Sequence, residues 1–206
     1  MIVEMRRQQL KVGAIPAVEE QYANALQARV KLSPLGGFWH TEVGTLNQVI
    51  QIWPYESLAE RERVTNQAAR LAGWPPDIQQ FLLEDDTLIL EPLPFSPPIT
   101  PRRLGNIYEI RTYSYRPGFM PELIKHWGEK IEERQKLSPF VGAWQTTIGP
   151  LNKLVHIWAY NDAAERQRIR ARAVELGIWP PSATTVGILV KQENILAIPA
   201  AFSPLH

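Results

Sequence analysis

The chain contains no cysteine, so disulfide bonds and thiolate chemistry are excluded. It also lacks an apolar run of about 18 residues, the length that a transmembrane helix requires. Residues 1–6 alternate like a strand and have no apolar segment of the signal-peptide kind. Lysine and arginine number 22 against 21 for aspartate and glutamate, a balance that indicates neither nucleic acid nor a membrane as a partner. We therefore expect a cytoplasmic protein that binds neither.

Several catalytic motifs are missing as well. The sequence contains no phosphate-binding Walker loop, no dinucleotide fingerprint and no nucleophile elbow. His126 lies beside the apolar stripe of a predicted helix, but no second histidine stands at metal-ligand spacing from it. We expect no metal site and no bound cofactor, and most large enzyme classes receive no support from the sequence.

What the sequence does contain is an internal repeat. When the 206 residues are shifted by 105, many turn residues and three tryptophans fall on identical residues. The tryptophan pairs are Trp39 with Trp144, Trp53 with Trp158 and Trp74 with Trp179. Near the end of each copy the offset becomes 107, as Phe95 and Phe202 show. Two long units do not make a solenoid, so the pattern indicates a duplicated domain.

A proline-rich stretch separates the two copies. Five prolines, at positions 92, 94, 97, 98 and 101, lie just before Gly105. Proline fixes φ and is excluded from helix interiors and central strands, so residues 94–105 are predicted to be a stiff extended linker. The predicted boundaries are therefore 1–93 for repeat 1 and 106–206 for repeat 2.

Each repeat shows the pattern of a βαββαβ unit, which is clearer in the second copy. The predicted elements of that copy are a strand over 107–115, a helix from Pro121 towards Ser138, strands over 140–148 and 151–159 joined by a turn at Gly149 and Pro150, a second helix, and a strand near 194–199. The second helix begins at a capping box of Asp162 and Glu165, as Ser57 and Glu60 begin its counterpart.

This order of elements is the ferredoxin-like plan, in which both helices cover one face of an antiparallel sheet. The other face of each sheet remains partly apolar here, and one unit alone would leave it in water. Two units that face each other cover it. The predicted fold is therefore α+β, with two tandem ferredoxin-like βαββαβ units that form a single-chain pseudo-dimeric α-β barrel.

Three stretches of the chain resemble the motifs of a known domain family. The segment Ile107–Tyr113, followed by Pro117 and Gly118, resembles the opening motif of the NIPSNAP domain. Residues 41–57 and 146–160 both resemble its central motif, so the resemblance covers nearly the whole chain twice. It implies a dimeric α-β barrel, a superfamily that includes cofactor-independent monooxygenases, polyketide cyclases and haem-dependent chlorite dismutases. A shared fold transfers none of these chemistries, and the bacterial members of the family mostly have no assigned function.

Repeat 2 keeps more of the family pattern than repeat 1. The opening motif of repeat 1 lacks both tyrosines, and Gln51 stands where repeat 2 has His156. We therefore place the candidate site in repeat 2 and expect repeat 1 to be mainly structural.

The site is predicted on the first and third strands of repeat 2, which are neighbours in this fold. Residues two apart on a strand share a face, so Arg111 lies with Tyr113, and His156 lies with Trp158. The predicted ligand-binding residues are Arg111, Tyr113, His156, Trp158 and Trp144. His156 and Tyr113 are also the candidate catalytic residues, since histidine titrates near neutral pH and could move a proton.

Purely structural interpretations of the same residues remain open. Arg111 could pair with Glu109 in a buried polar cluster that serves only the fold. The paired tryptophans could be core residues. Arginines of the second helix, including Arg166 and Arg170, interleave with glutamates and predict a solvated face with helix ion pairs.

Three functions follow from these patterns. The first is binding of a small, partly aromatic or acidic molecule in a pocket of repeat 2. The second is a cofactor-independent monooxygenase or cyclase, which would need a dry pocket with His156 or Tyr113 at hydrogen-bond distance from the ligand. The third is a non-catalytic protein-interaction module, which predicts a filled interior and an exposed apolar patch. Further association of whole chains into a homo-oligomer is left open.

Overall fold

The computed structural model describes residues 1–181 and 185–206. Repeat 1 contains β1 (Ile2–Leu10), α1 (Ile15–Arg29), β2 (Gly37–Val43), β3 (Gln48–Tyr55), α2 (Leu58–Ala68) and β4 (Leu82–Pro92). Repeat 2 contains β5 (Ile107–Tyr115), α3 (Met120–Gly128), α4 (Ile131–Gln135), β6 (Phe140–Ile148), β7 (Lys153–Tyr160), α5 (Ala163–Glu175), α6 (Thr185–Ile188) and β8 (Leu189–Pro199).

The eight strands form one closed antiparallel barrel in the order β1-β3-β2-β8-β5-β7-β6-β4. Within each repeat the first and third strands are the central pair, as the ferredoxin-like plan requires. The repeats join at two seams, where β2 pairs with β8 and β4 pairs with β6. The predicted single-chain barrel of two ferredoxin-like units is confirmed.

The barrel encloses an apolar core to which both repeats contribute. Met5 and Ile52 of repeat 1 pack in the same buried cluster as Ile110 and Ile157 of repeat 2. On the outer face of the sheet, each repeat packs its helices over a separate apolar cluster. Strand residues therefore alternate between the shared barrel core and the space under the helices, and the predicted site residues fall on these two sides according to their register.

The turns occur where the repeat predicted them. Gly44 and Asn47 lie between β2 and β3, and Gly149 and Asn152 lie between β6 and β7, all four with positive φ. Glycine and asparagine are the residues that adopt this conformation at least cost, which explains why both recur at these positions in both copies.

Two elements of repeat 2 differ from the predicted pattern. The helix predicted between Pro121 and Ser138 is divided into α3 and α4, and Gly128, a residue of low helix propensity, ends α3. Strand β8 begins at Leu189 rather than near 194, because it pairs with β5 along nearly the full length of that strand. Pairing with a neighbour decided the length of β8 although its first residues lack an alternating pattern.

None of the helices in the described parts of the chain combines the length and the apolar character needed to cross a membrane.

Candidate functional site

The outer face of repeat 2 brings together the polar residues of β5 and β7. The two strands are antiparallel neighbours, with Arg111 opposite His156 and Glu109 opposite Trp158. Antiparallel partners share a face, so these four side chains lie on the helix-covered side of the sheet together with Tyr113. The structure thus brings four of the five predicted ligand-binding residues to one side of repeat 2.

A cavity of about 900 Å³ lies between this face of the sheet and the helices of repeat 2. Its aromatic lining consists of Tyr113, Tyr115, Trp127 and Trp179, and its basic lining consists of Arg111, Arg134 and Arg170. Gln192 of β8 and Ala171 of α5 also line it. A volume of this size and a wall that combines aromatic and aliphatic side chains with a few charged groups are typical of small-molecule sites.

The charged side of the cavity is built around one buried carboxylate. Glu109 is fully buried, and its Oε1 accepts hydrogen bonds from Arg111 at 2.8 Å, Arg166 at 2.5 Å and Arg170 at 3.5 Å. Burial alone would raise the pKa of Glu109, but the three guanidinium groups outweigh it and hold the pKa below its usual range. Glu109 is therefore ionised at neutral pH and fixes Arg111 at the cavity wall.

The alternative in which Arg111 pairs with Glu109 is thus present in the structure, and it does not exclude a site, because Arg111 also lines the cavity. The expectation of a solvated arginine face on the second helix was incomplete. Arg166 and Arg170 point back from α5 to Glu109, and their side chains are 20% and 39% exposed.

His156 lies one layer beneath the cavity wall. It is 1% exposed, and its ring contacts those of Trp127 and Tyr113, with centroid distances of 4.8 Å and 5.0 Å. Trp158 Nε1 donates to His156 Nδ1 at 2.9 Å, and an indole N–H can only donate, so Nδ1 accepts and the proton is on Nε2. Burial, with Arg111, Arg134 and Arg170 nearby, holds the pKa of His156 well below its ordinary value. The ring is neutral and supports the aromatic wall from behind.

Tyr113 is placed differently, because its ring lines the cavity directly. The Arg111 guanidinium lies 5.0 Å from the centre of the Tyr113 ring, within the range of a cation–π contact. Burial raises the pKa of Tyr113, although Arg111 opposes the rise. The phenol is therefore protonated at neutral pH and can donate a hydrogen bond to a ligand.

Trp144 is the predicted ligand-binding residue that the structure places elsewhere. The pairing of β6 with β7 shifts by one residue between Phe140 and Gly142, so that Trp144 lies opposite Val155. Without this bulge Trp144 would lie opposite Leu154, on the His156 side of the sheet. The bulge turns the Trp144 ring into the barrel core, where it is 1% exposed.

The cavity contains residues that the sequence analysis did not single out. Arg134 donates to Ser138 Oγ at 2.7 Å and to the Tyr160 hydroxyl at 3.1 Å, and it lies 4.2 Å above the Trp158 ring. The 105-residue repeat carried a signal for it, since Arg29 makes the matching bonds to Ser33 and Tyr55 in repeat 1. No such signal pointed to Gln192. The offset between the copies is 107 instead of 105 in this last strand, so the 105-residue repeat does not show which residue Gln192 matches or which residue of β5 it faces.

Residues 3–97 and 108–204 each match the family model described as NIPSNAP. The chain belongs to the NIPSNAP family. Over 176 residues it is 35% identical to protein NipSnap homolog 1 of Danio rerio, an alignment that covers 82% of this chain and 63% of that protein. It is also 30% identical over 215 residues to protein NipSnap homolog 3B of Homo sapiens. This alignment covers 98% of this chain and 85% of that protein.

The solved structures include barrels of the same extent. A candidate monooxygenase of Lactobacillus acidophilus superposes with a TM-score of 0.71 over 97% of this chain and 94% of that chain, at 7% identity. At so low an identity the likeness shows the fold alone.

The two NIPSNAP repeats differ under their helices. In repeat 1, the Tyr22 hydroxyl donates to Gln8 Oε1 at 2.6 Å and accepts from Gln51 Nε2 at 2.9 Å. Gln51 also accepts from Trp53 Nε1 at 2.8 Å, as His156 accepts from Trp158. The repeat 1 side chains at the places of Tyr113, Trp127 and His156 thus bond to one another, whereas their repeat 2 counterparts form an aromatic wall.

Proposed function

We propose that this NIPSNAP protein binds a small, partly aromatic or acidic molecule in the cavity of repeat 2. The observation that carries the proposal is the cavity of about 900 Å³, which combines aromatic walls with arginine side chains. Aromatic rings provide contact area for an apolar body, and arginine provides directed donors for an anionic or polar group.

The charged and aromatic parts of the cavity are both fixed before any ligand enters. Arg111 is held by Glu109, and Arg134 is held by Ser138 and Tyr160. Trp127 packs against Trp179, with their ring centroids 4.6 Å apart. Side chains that are already ordered lose little conformational entropy on binding, so a ligand would meet a wall that needs little rearrangement.

The proposal is tested by filling the cavity without touching its charged residues. Ala171→Trp, on the exposed side of α5, should occupy the cavity. Asn66→Trp at the equivalent exposed position of repeat 1 is the matched control. We expect single-ring and double-ring aromatic fragments, charged and neutral, to show saturation-transfer NMR signals with the parent protein and with Asn66→Trp. These signals should fall at least fivefold with Ala171→Trp.

Native mass spectrometry of freshly purified protein provides an independent measurement. A small molecule that copurifies with the parent chain should be absent from Ala171→Trp and present in Asn66→Trp. If no fragment binds the parent protein, or if Ala171→Trp binds as the parent does, the cavity is not a ligand site.

A further inference from the structure

The final strands of the two repeats differ in charge at a position that, in repeat 2, lines the cavity. Asp85 of β4 lies opposite Gln8 of β1, and Gln192 of β8 lies opposite Tyr113 of β5. Since Gln8 and Tyr113 are equivalent in the repeat, Gln192 occupies in repeat 2 the place that Asp85 occupies in repeat 1. A carboxylate in one copy has been replaced by a neutral amide in the other.

In repeat 1 this carboxylate is a partner of the strand arginine. Asp85 Oδ2 accepts from Arg6 at 2.5 Å and from Gln8 at 3.1 Å. Arg6 is the counterpart of Arg111, which pairs with Glu109 and lines the cavity beside Gln192. Repeat 1 therefore has a carboxylate bound to its strand arginine at the position where repeat 2 has the neutral amide of Gln192 beside the cavity.

The charges around the two sites differ accordingly. Repeat 1 has two carboxylates, Glu4 and Asp85, against Arg6 and Arg61, both of which contact Glu4. The corresponding cluster of repeat 2 has one carboxylate, Glu109, against three arginines, and the third of these, Arg170, stands where repeat 1 has Thr65. Glu175 also lines the cavity, but it is 68% exposed and pairs with Arg172 at 2.8 Å, outside this cluster.

The repeat 2 cluster of Glu109 and its three arginines thus carries two more positive charges than the corresponding cluster of repeat 1. Gln192 replaces an acid, and Arg170 adds a base. Arg111 is largely shielded from water, with its side chain 10% exposed. A partly buried positive excess is stabilised by a counter-charge, and an incoming anion can supply it.

We propose that the ligand of the repeat 2 cavity carries a carboxylate, which binds Arg111 beside Gln192 as Asp85 binds Arg6 in repeat 1. The aromatic body of the ligand then lies against Trp127 and Trp179, and Arg170 stands at the outer side of the carboxylate. This inference rests on the proposed function, because it names the chemical class that the same cavity selects.

The experiment compares aromatic acids with their neutral amides on the intact chain. The probes are benzoate and benzamide, 2-naphthoate and 2-naphthamide, and indole-3-acetate and indole-3-acetamide, with dissociation constants measured by calorimetry at pH 7.5. Hydrogen bonds to charged groups are stronger than neutral ones, so for the best-fitting pair we expect the acid to bind roughly ten- to a hundredfold more tightly than the amide.

Gln192→Asp installs in repeat 2 the carboxylate that repeat 1 already has. The position is exposed, so the substitution does not disturb the core. It should weaken binding of the acid at least tenfold and change binding of the amide less than twofold. Gln192→Asn, which has the size of aspartate without its charge, should leave the preference for the acid in place.

The outcomes separate this inference from the function on which it rests. Equal affinity for acid and amide, or unchanged acid binding in Gln192→Asp, would overturn the carboxylate assignment while the cavity remained a ligand site. Failure of every acid and every amide to bind would overturn the proposed function and this inference with it.

Discussion

At the scale of single residues, His156 illustrates how a hydrogen bond fixes a protonation state. The same indole bond is accepted by His156 in repeat 2 and by Gln51 in repeat 1. Both acceptors are 1% exposed, and both lie two residues before the tryptophan that donates. The position therefore requires an acceptor, which both residue types provide, and a histidine adds a titratable group that the fold keeps neutral.

We predict that His156→Gln reduces the loss of stability at acidic pH. The pKa of His156 is lowered in the folded chain, so below about pH 6.5 the unfolded chain takes up a proton that the folded chain does not. The free energy of unfolding of the parent protein then falls by up to about 1.4 kcal/mol per pH unit because of this residue. The variant lacks this component, which urea unfolding at pH 5 and pH 8 measures.

The reciprocal change provides the control for this prediction. Gln51→His places a histidine in the corresponding buried position of repeat 1 and should steepen the loss of stability below about pH 6.5. If both variants lose the same stability as the parent protein between pH 8 and pH 5, burial of a neutral His156 does not contribute to the pH dependence.

Residue-level patterns predicted some side chains of the site and misplaced one. Two-residue periodicity and strand adjacency correctly brought Arg111, His156 and Trp158 to one face. They did not place Trp144, because a bulge of one residue in β6 changes its face. Gly142, where the register shift ends, was the signal for it, since glycine inside a strand often marks a bulge. Nor could they identify Gln192, since register between distant strands is set by pairing in the folded chain.

At the scale of elements, α5 matters because it carries Arg166 and Arg170 to Glu109. The backbone N–H of Glu165 donates to Asp162 Oδ1 at 2.7 Å, and the N–H of Asn161 donates to Glu165 Oε2 at 2.6 Å. The predicted capping box is therefore present, although its glutamate binds the residue before the cap. This cap fixes the start of α5 and the direction in which its arginines leave the helix.

We predict that Asp162→Ala lowers the free energy of unfolding by about 1 kcal/mol, because the backbone N–H of Glu165 at the helix start loses its side-chain acceptor. Asp162→Ser should lose less than half of that, since Ser57 caps α2 with a hydroxyl that accepts from Glu60 at 3.1 Å. Chemical denaturation measures both values. Equal losses in the two variants would show that the cap hydrogen bond is not what stabilises α5.

At the scale of the whole molecule, the duplication is what closes the barrel. The order of elements and the apolar inner face of each sheet were enough to predict this closure, because an uncovered sheet face of that kind is costly in water. The sequence predicted that the two repeats close a barrel, but it did not predict which residues pair where β2 meets β8 and β4 meets β6. That register is set by packing in the folded chain.

The linker is hydrogen-bonded to repeat 2 at two places, and the stretch between them decides where the chain can be cut. Ser96 Oγ accepts from the N–H of Ala143 in β6 at 2.9 Å, and the N–H of Arg102 donates to Pro204 at 3.0 Å. Thr100 lies between these attachments and is exposed. A protease site inserted after Thr100 would therefore interrupt the chain without removing a contact at either seam.

We predict that the two fragments produced at this site stay together as one particle. Each fragment alone would expose its half of the barrel core, a set of fully buried side chains that includes Ile50 and Leu90 of repeat 1 and Val141 and Val155 of repeat 2. After cleavage, the fragments should elute together from a sizing column at the position of the intact 23.5 kDa chain, and they should separate only in denaturant. The same inserted protein without protease is the control. Separate elution of two folded fragments in buffer would mean that each repeat covers its own sheet, and the shared barrel core would then not be what holds the molecule together.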